Sequence, residues 1–404
     1  VINKVIFMKK AVHFGAGSIG RGFIGDLLHD TGYEIVLVDI DKNIVEQINK
    51  TNSYDLYIIE ENYKKKTITN VKAVLLTDTG KIADEITGAD LVTVSVWVDN
   101  LPGVAVPLLE GLKKRYGKNA ERLNVLTCEN AIHNGSILRN EVLKLDAAFT
   151  EDMLDKTAAF PDTAVDRMVL ASERNGVRSV DIGLEHELVI EKTKLTDPES
   201  KPVKGAVYTE NMDKYIERKL FIINGGHAWA GYMGHVSGFT TMQEVFQNET
   251  FTSSVKEVMQ EIGALIAQKY NFSTKELDDY IDFVINRFKT PGITDYISRV
   301  SRNPIRKLKA GERLTGPCVQ CEERGLKNDR LIQGIAAAFL YDMPEDQQSV
   351  ELQAHIKEHG IEESVSFYTS IPAGSELHQK IVENYKILSE KKKLSGNVSA
   401  GGVL

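Results

Sequence analysis

Cysteine is scarce in this chain, and long apolar runs are absent. Three of the 404 residues are cysteine, so one thiol is unpaired in any monomer and a disulfide-stabilised miniprotein is excluded. No window approaches the roughly 18 uninterrupted apolar residues of a membrane-spanning helix. A charged-then-apolar secretory leader is also missing, and Met8 followed by Lys9 and Lys10 has the form of a natural start. These absences predict a cytoplasmic protein in a reducing compartment.

Positive charge is in deficit over the whole chain. Lys and Arg total 49 against 57 Asp and Glu, which gives a formal net charge of −8. Such a surface repels polyanions on average, so we expect neither a nucleic-acid partner nor an anionic membrane. No heptad pattern stands out, and a monomer is therefore the default expectation, with a dimer left open.

What the chain does contain is the composition of an ordinary globular protein. Hydrophobic residues make up 42% and charged residues 26% of the sequence. A length of 404 residues, at about 100 to 200 residues per domain, suggests two domains or three.

The first half alternates short β-branched runs with amphipathic stretches, which is typical of a doubly wound parallel sheet flanked by helices. The predicted strands are residues 11–14, 34–38, 73–76, 91–96 and 124–128, and the predicted helices are residues 19–29, 42–49, 101–116 and 136–145. We expect a further β-rich stretch, residues 179–191, to continue or cap this sheet. The lysine runs 64–66 and 391–393 are interpreted as solvated loops.

Turn formers and charge concentrate in residues 196–202, which marks a domain boundary. Beyond it strand signals nearly vanish, and residues 255–270, 274–288 and 329–341 have helical periodicity, the second beginning near Ser273 or Thr274. The sequence thus predicts an α/β domain of residues 8–200, a mainly α-helical domain of residues 201–390 that binds substrate, and a flexible tail of residues 391–404.

A dinucleotide fingerprint follows the first predicted strand: Gly15-Ala16-Gly17-Ser18-Ile19-Gly20. In this Rossmann-type pattern Gly15 makes the tight turn, Gly17 admits the pyrophosphate and Gly20 packs helix against strand. The following helix N-terminus would bind the phosphates. The alternative is a glycine-rich turn without a ligand.

Asp39 lies at the end of the second predicted strand, 19 residues past Gly20. A carboxylate there accepts hydrogen bonds from the adenosine ribose and, with Asp41, repels a 2′-phosphate. This favours NAD over NADP, although Lys42 is close enough to compensate. FAD uses the same turn and stays a weaker alternative.

Past the boundary, Lys219, Asn224 and His227 stand among apolar residues at helical spacing. A desolvated lysine has a lowered pKa and can act as a general base, an amide can donate to a developing alkoxide, and a histidine can orient either one. Taken singly, the lysine could be a snorkelling surface residue and the histidine a satisfied core residue.

The chain resembles the mannitol dehydrogenase family of polyol-specific long-chain dehydrogenases. The carrying segments are Met8-Lys9-Lys10-Ala11-Val12-His13-Phe14-Gly15-Ala16-Gly17-Ser18-Ile19-Gly20-Arg21-Gly22, Cys128-Glu129-Asn130, Phe160-Pro161-Asp162-Thr163-Ala164-Val165-Asp166-Arg167, the Lys219/Asn224/His227 set and Arg302-Asn303-Pro304-Ile305-Arg306-Lys307-Leu308. Their order extends from Met8 to about Leu340.

The resemblance implies a metal-independent enzyme that oxidises D-mannitol 1-phosphate reversibly to D-fructose 6-phosphate with NAD. Lys219 would be the general base, Asn224 and Asn130 would donate to the oxyanion, and His227 would orient them. The implied cofactor contacts are Ala11, Val12, His13, Phe14, Gly15, Ala16, Gly17, Ser18, Ile19, Gly20, Arg21, Gly22 and Asp39. The alternatives left open are a dehydrogenase of a free polyol or a uronate, and a non-catalytic NAD(H)-sensing module.

A basic cluster reverses the chain's overall charge locally: Arg299, Arg302, Arg306, Lys307, Lys309 and Arg313, against the single Glu312. Such a patch can hold a small anion, and Arg302, Arg306 and Lys307 are the candidate phosphate ligands. The alternative is a solvated helix face. We expect no metal at Cys318 and Cys321, because no second ligand pair follows at zinc spacing.

Overall fold

The computed structural model describes residues 8–290 and 294–400, with side chains described up to residue 393. The chain divides into two compact units, residues 1–215 and residues 216–404. β11 of the first unit (Val207–Thr209) lies past residue 200 and still pairs with β10 (Val177–Glu191).

The first unit alternates strands and helices. Its other strands are β1 (Lys10–Phe14), β2 (Glu34–Asp39), β3 (Ser53–Ile58), β4 (Lys64–Thr69), β5 (Val71–Leu75), β6 (Leu91–Val94), β7 (Leu123–Thr127), β8 (Ala158–Ala159) and β9 (Thr163–Arg174). Its helices are α1 (Gly25–Thr31), preceded by the π-helical segment Gly20–Ile24, then α2 (Lys42–Thr51), α3 (Thr79–Thr87), α4 (Leu101–Gly117), α5 (Asn134–Leu145) and α6 (Glu151–Thr157). Short 3₁₀ turns occupy Ile59–Glu61, Val98–Asn100 and Lys192–Lys194.

Six strands form a parallel sheet in the order β5-β2-β1-β6-β7-β8. Along β2, Ile35 and Leu37 belong to one apolar core while Val36 and Val38 belong to another, so the sheet is covered on both faces. The predicted doubly wound α/β architecture is confirmed. The strand order reverses between β1 and β6, and the crevice at their carboxyl ends is where such sheets bind ligands.

A second sheet, in the order β11-β10-β3-β4 with β9 beside β10, corrects two sequence predictions. Residues 179–191 belong to β10, which pairs with β9 and β3 rather than with the parallel sheet. β9 and β10 form a long hairpin whose turn, Asn175-Gly176, has positive φ at both residues (54° and 73°), and this dipeptide is a hairpin signal in the sequence.

The lysine run 64–66 is also not a loop, because it lies in β4, antiparallel to β3. Lys64 and Lys65 are exposed, Lys66 is half-buried, and Ile68 two residues on is fully buried. Lys66 forms ion pairs with Asp26 (2.6 Å) and Asp30 (2.8 Å), both of which lie in α1.

The second unit is mainly helical, as predicted. Its helices are α8 (Gly226–Val236), α9 (Met242–Gln247), α10 (Glu249–Tyr270), α11 (Thr274–Phe288), α12 (Ile297–Ser301), α13 (Pro304–Leu308), α14 (Thr315–Glu323), α15 (Asp329–Phe339), α16 (Gln347–Thr369) and α17 (Glu376–Ala400). α7 (Asp213–Arg218) contains the division between the units, and the π-helical segment Lys219–Gly225 joins it to α8. Ser273 caps α11 in a capping box with Glu276, which confirms the predicted start of that helix.

The second lysine run, residues 391–393, lies within α17 and is therefore helical rather than a loop. The end of the predicted flexible tail, residues 401–404, lies outside the described residues. Among the helices described, none is both long enough and apolar enough to cross a membrane.

Candidate active site

The glycine fingerprint forms a tight loop after β1. Gly15 has φ +102° and donates its N–H to the Val38 carbonyl at 2.7 Å. A Cβ at Gly15 would lie 2.2 Å from the Ser95 carbonyl oxygen, and a Cβ at Gly20 would lie 1.7 Å from the Gly15 carbonyl oxygen. A Cβ at Gly17 would meet no atom within 4 Å, so the backbone there is open to an approaching ligand. The three glycines therefore have the turn, approach and packing geometry that a dinucleotide loop requires.

Asp39 ends β2 directly beside this loop. Its Oδ2 accepts the Ala16 N–H at 2.5 Å, and its Oδ1 accepts the Asp41 N–H at 2.8 Å. A carboxylate offers about four acceptor positions, so two backbone bonds leave capacity for ribose hydroxyls. Asp41 caps α2 and forms an ion pair with Arg178, which offsets the negative charge that the sequence argument assigned to it.

His13 and Arg21 lie beneath the loop. His13 is fully buried, with Nδ1 2.7 Å from Thr93 Oγ1 and Nε2 3.0 Å from Ser95 Oγ, and burial lowers its pKa to about 3, so the ring is neutral. Arg21 donates from Nε to the Ala16 carbonyl (2.8 Å) and from Nη1 to the Arg178 carbonyl (3.1 Å). Both side chains hold the loop in place from inside the unit.

The other predicted cofactor residues differ in accessibility. Ala11, Val12 and Phe14 are buried in the sheet, whereas Ser18 and Ile19 are partly exposed at the start of the helix. A Cβ at Gly22 would lie 2.5 Å from Val169 and 2.6 Å from Val180, so Gly22 serves the contact with the second sheet. Cofactor contact by these residues stays a prediction.

Asn130 lies in the first unit, three residues after the carboxyl end of β7. β7 is the fifth strand of the parallel sheet in chain order, so Asn130 follows the strand that the sequence predicted it to follow. It is exposed. Buried Asn134 holds the loop, because its Nδ2 donates to the carbonyls of Glu129 (2.9 Å) and Thr163 (2.8 Å).

Lys219 and Asn224 lie in the second unit on the π-helical segment Lys219–Gly225. Residues five apart are separated by roughly 140° around an α-helix, but π-helical hydrogen bonds join residues i and i+5 and bring them onto nearly one face. Both side chains are half-buried, while Phe221, Ile222 and Ile223 between them are buried. Purely α-helical spacing would place Lys219 further round the helix from Asn224 than the structure does.

His227 follows one turn later, at the start of α8. Its ring stacks on Phe288 at a centroid distance of 4.3 Å, and its Nε2 lies 3.7 Å from Asp295 Oδ2, which is longer than a hydrogen bond. Burial lowers the pKa of His227 to about 4, against the opposing effect of Asp295, so the imidazole is neutral at pH 7. A neutral ring can donate from one nitrogen and accept at the other, as an orienting residue must.

A cavity of about 190 Å³ lies over this helix, and it brings together five of the predicted residues. It is lined by Asn224, His227, Ala228, Arg299, Val300, Arg302, Arg306, Lys307 and Arg313. Lys219 and Lys309 are not among the lining residues. Gly225 lets the Arg313 backbone approach, because a Cβ there would lie 2.7 Å from the Arg313 carbonyl oxygen.

The cations of this cavity differ in their partners. Arg299 is held by both carboxylate oxygens of Asp295, at 2.5 and 2.6 Å, and Arg313 contacts Glu312 at 3.1 Å. Arg302 and Arg306 are exposed on either side of the turn that begins α13, and no carboxylate of the described residues forms an ion pair with either. These two guanidiniums are therefore available to an anion.

Lys307 differs from the other predicted phosphate ligands because it is buried. Its ammonium donates to the carbonyl of Val300 at 2.9 Å and to that of Arg302. Burial, together with the charges of Arg313 and Arg306, lowers its pKa to about 7.

Phe288 and Asp295 were missed by the sequence analysis. Each is separated from His227 by about sixty or more residues, and no local pattern links them to it. Cys318 and Cys321 are buried free thiols whose pKa values are raised by burial. In the described residues one group has donor atoms close enough to share a metal ion, His355, His359 and Glu363, and it contains none of the predicted catalytic residues.

The sequence matches known proteins over both units. The family model described as the mannitol dehydrogenase Rossmann domain matches residues 9–202, and that of the mannitol dehydrogenase C-terminal domain matches residues 211–389. A mannitol-1-phosphate 5-dehydrogenase of Caldanaerobacter subterraneus subsp. tengcongensis is 37% identical over 95% of this chain and 100% of the relative. One from Pyrenophora tritici-repentis is 36% identical over 93% of this chain and 97% of the relative.

Two solved structures have the same fold. Mannitol 2-dehydrogenase of Pseudomonas fluorescens, in a ternary complex with NAD and D-mannitol, aligns with a TM-score of 0.70 at 17% identity over 98% of this chain and 95% of its own. A substrate-free D-sorbitol dehydrogenase aligns with a TM-score of 0.78 at 18% identity over 96% of this chain and 95% of its own.

Proposed function

The chain belongs to the mannitol dehydrogenase family, and we propose that it catalyses the reversible, NAD-dependent oxidation of D-mannitol 1-phosphate to D-fructose 6-phosphate. The observation that carries the choice of substrate is the cavity in the second unit. It joins Asn224 and His227 to the guanidiniums of Arg302 and Arg306, and a free polyol has no group that needs two such cations.

The residues of the first unit fit a dinucleotide. The open position at Gly17, the tight packing at Gly20 and the carboxylate of Asp39 are the features that hold pyrophosphate and ribose in such loops. A bound NAD⁺ would supply the hydride acceptor for the carbon that carries the hydroxyl. Asp39 disfavours a 2′-phosphate by charge, which supports NAD over NADP.

The proposed catalytic roles follow from side-chain chemistry. Lys219 accepts the hydroxyl proton during oxidation and returns it during reduction. Asn224, five residues on, donates its amide hydrogen to the oxygen on which negative charge develops. Neutral His227, stacked on Phe288, orients this donor. The family resemblance also assigns a donor role to Asn130 of the first unit.

The phosphate is assigned to Arg302 and Arg306. Both are exposed and have planar forks suited to phosphate oxygens. Arg299 is less available because Asp295 occupies its guanidinium. Lys307 also lines the cavity and adds positive charge there to the extent that its ammonium is protonated.

A substrate screen tests the proposal. We expect NADH oxidation with fructose 6-phosphate and little with fructose or fructuronate, at matched concentrations. The second candidate, a free-polyol dehydrogenase, is suggested by the names of the two structural neighbours. Turnover with fructose but not with its 6-phosphate would establish that candidate and refute the proposal. NADH binding without turnover of any of the three would favour a sensing module.

A further inference from the structure

Trp97 has a backbone conformation that tryptophan rarely adopts. Its φ is +71° and its ψ +142°, a region that glycine tolerates and bulky residues avoid. Such strain persists only where the surrounding structure determines it and tends to occur at functional sites.

Hydrogen bonds on both sides fix this conformation. The Trp97 N–H donates to Glu129 Oε1 at 2.7 Å, and the Trp97 carbonyl accepts the Asn100 N–H at 3.0 Å. The Asn100 side chain also donates to the Val96 carbonyl at 2.6 Å. Burial raises the pKa of Glu129, while the bonds from Trp97 and Val96 oppose that effect. The strained residue is thus the fixed apex of a short loop.

The fixed backbone presents an uncovered side chain. Trp97 is 79% exposed, although an indole is among the largest apolar groups a protein can bury. Strain on the backbone costs stability in the free protein, and the exposed indole gains no burial energy to offset it. The cost is explained if a ligand covers the ring.

Trp97 lies close to the glycine fingerprint. Ser95 and Val96, the two residues before it, border the first glycine of the fingerprint: a Cβ at Gly15 would lie 2.2 Å from the Ser95 carbonyl oxygen and 3.2 Å from the Val96 Cγ1. Trp97 therefore follows β6 at the crevice where the strand order reverses. Asp39, at the end of β2, marks the side of this crevice where the adenosine would bind. β6 lies on the opposite side of β1 from β2, so Trp97 is on the side of the crevice away from the adenosine.

We propose that the Trp97 indole packs against the nicotinamide half of the bound dinucleotide, held for that contact by Glu129 and Asn100. The proposal rests on the NAD site of the proposed function and adds a cofactor-positioning residue to it. Aromatic stacking on a planar ring system is a known means of holding nucleotides.

Nucleotide titrations of the full chain test this. Relative to wild type, Trp97→Ala should raise the Kd for NADH about tenfold and leave the Kd for AMP, which has no nicotinamide, within twofold. Tyr63→Ala is a matched control, because Tyr63 is also an exposed aromatic residue with positive φ (56°) but lies between β3 and β4 of the second sheet. It should change neither constant.

The backbone strain at Trp97 predicts that relieving it changes stability and NADH affinity in opposite directions. Trp97→Gly should raise the melting temperature of the ligand-free protein, by about 2 to 4 °C, and still weaken NADH binding as Trp97→Ala does. Equal NADH affinity in wild type and both variants would overturn the proposal, as would equal weakening of AMP and NADH. Failure to turn over fructose 6-phosphate with NADH affinity intact would instead refute the proposed reaction and leave the Trp97 contact standing.

Discussion

Lys307→Met should change how the stability of the second unit depends on pH. Lys307 is 4% exposed, and its pKa is lowered from 10.5 to about 7 by burial and by the charges of Arg313 and Arg306. A neutral amine keeps two N–H groups, so its bonds to the Val300 and Arg302 carbonyls survive deprotonation. At pH 7 the native site is about half protonated, whereas the unfolded site is fully protonated.

The sign and size of this pH-dependent change in stability follow from proton linkage. Between pH 7 and pH 9 the unfolded chain binds more protons at this site than the native chain, so raising the pH stabilises the native state. Integrating over these two pH units gives a gain of about 2 kcal/mol for wild type, and the methionine variant lacks it. The effect is lost below pH 7, where both states become protonated.

Urea unfolding at pH 7 and pH 9 measures this difference. Trp229 is buried in the same unit, and a Trp97→Phe background leaves it as the only tryptophan reporter. Lys309→Met is the control, because Lys309 is exposed two residues away. If wild type and Lys307→Met differ in stability by the same amount at both pH values, the native ammonium is protonated throughout and the reasoning is refuted.

Three further substitutions test the proposed sites. Lys219→Ala should lower kcat by about 100-fold or more with NADH affinity near wild type, measured by initial rates and NADH titration, and unchanged turnover would remove it from the base role. Arg306→Ala should raise the KM for fructose 6-phosphate about 10- to 100-fold with little change in kcat, and the control Lys309→Ala should leave this KM unchanged. Equal KM values for wild type and Arg306→Ala would place the phosphate elsewhere. Gly20→Ala should abolish NADH binding, because the new Cβ would lie 1.7 Å from a backbone carbonyl oxygen, whereas Gly80→Ala, with no atom within 4 Å, should bind normally. Retained binding in the Gly20 variant would refute the loop geometry.

Local pattern was sufficient for the parallel sheet and the helical second unit. β-branched runs, the glycine fingerprint and the cap at Ser273 are signals carried by neighbouring residues, and each is confirmed in the structure. The second sheet was missed because β3 pairs with β10 over more than a hundred residues of sequence, and because lysines in β4 concealed an alternation whose buried member is Ile68. The Asn175-Gly176 dipeptide was the available signal for the hairpin.

The candidate site was predictable in composition but not in geometry. Residue types and order indicated Asn224, His227 and the arginines, and the cavity contains them. The π-helical turn that brings Lys219 toward the face of Asn224 depends on hydrogen-bond register, which residue spacing does not report. The Asp295 clamp on Arg299 likewise arises only from tertiary packing, and it supports the choice of Arg302 and Arg306 over Arg299.

The lowered pKa of Lys307 has two causes, its burial and the positive charge around it. Five cationic side chains line one small cavity, and two of them have carboxylate partners among the described residues. Burial is the larger cause, and the charges of Arg313 and Arg306 repel the ammonium as well, so the lysine can lose its proton near pH 7. An anion in the cavity removes that repulsion and favours the protonated lysine, so its binding should be accompanied by proton uptake near pH 7. A chain that is acidic overall therefore contains a cavity with excess positive charge, which suits an anionic ligand such as a sugar phosphate.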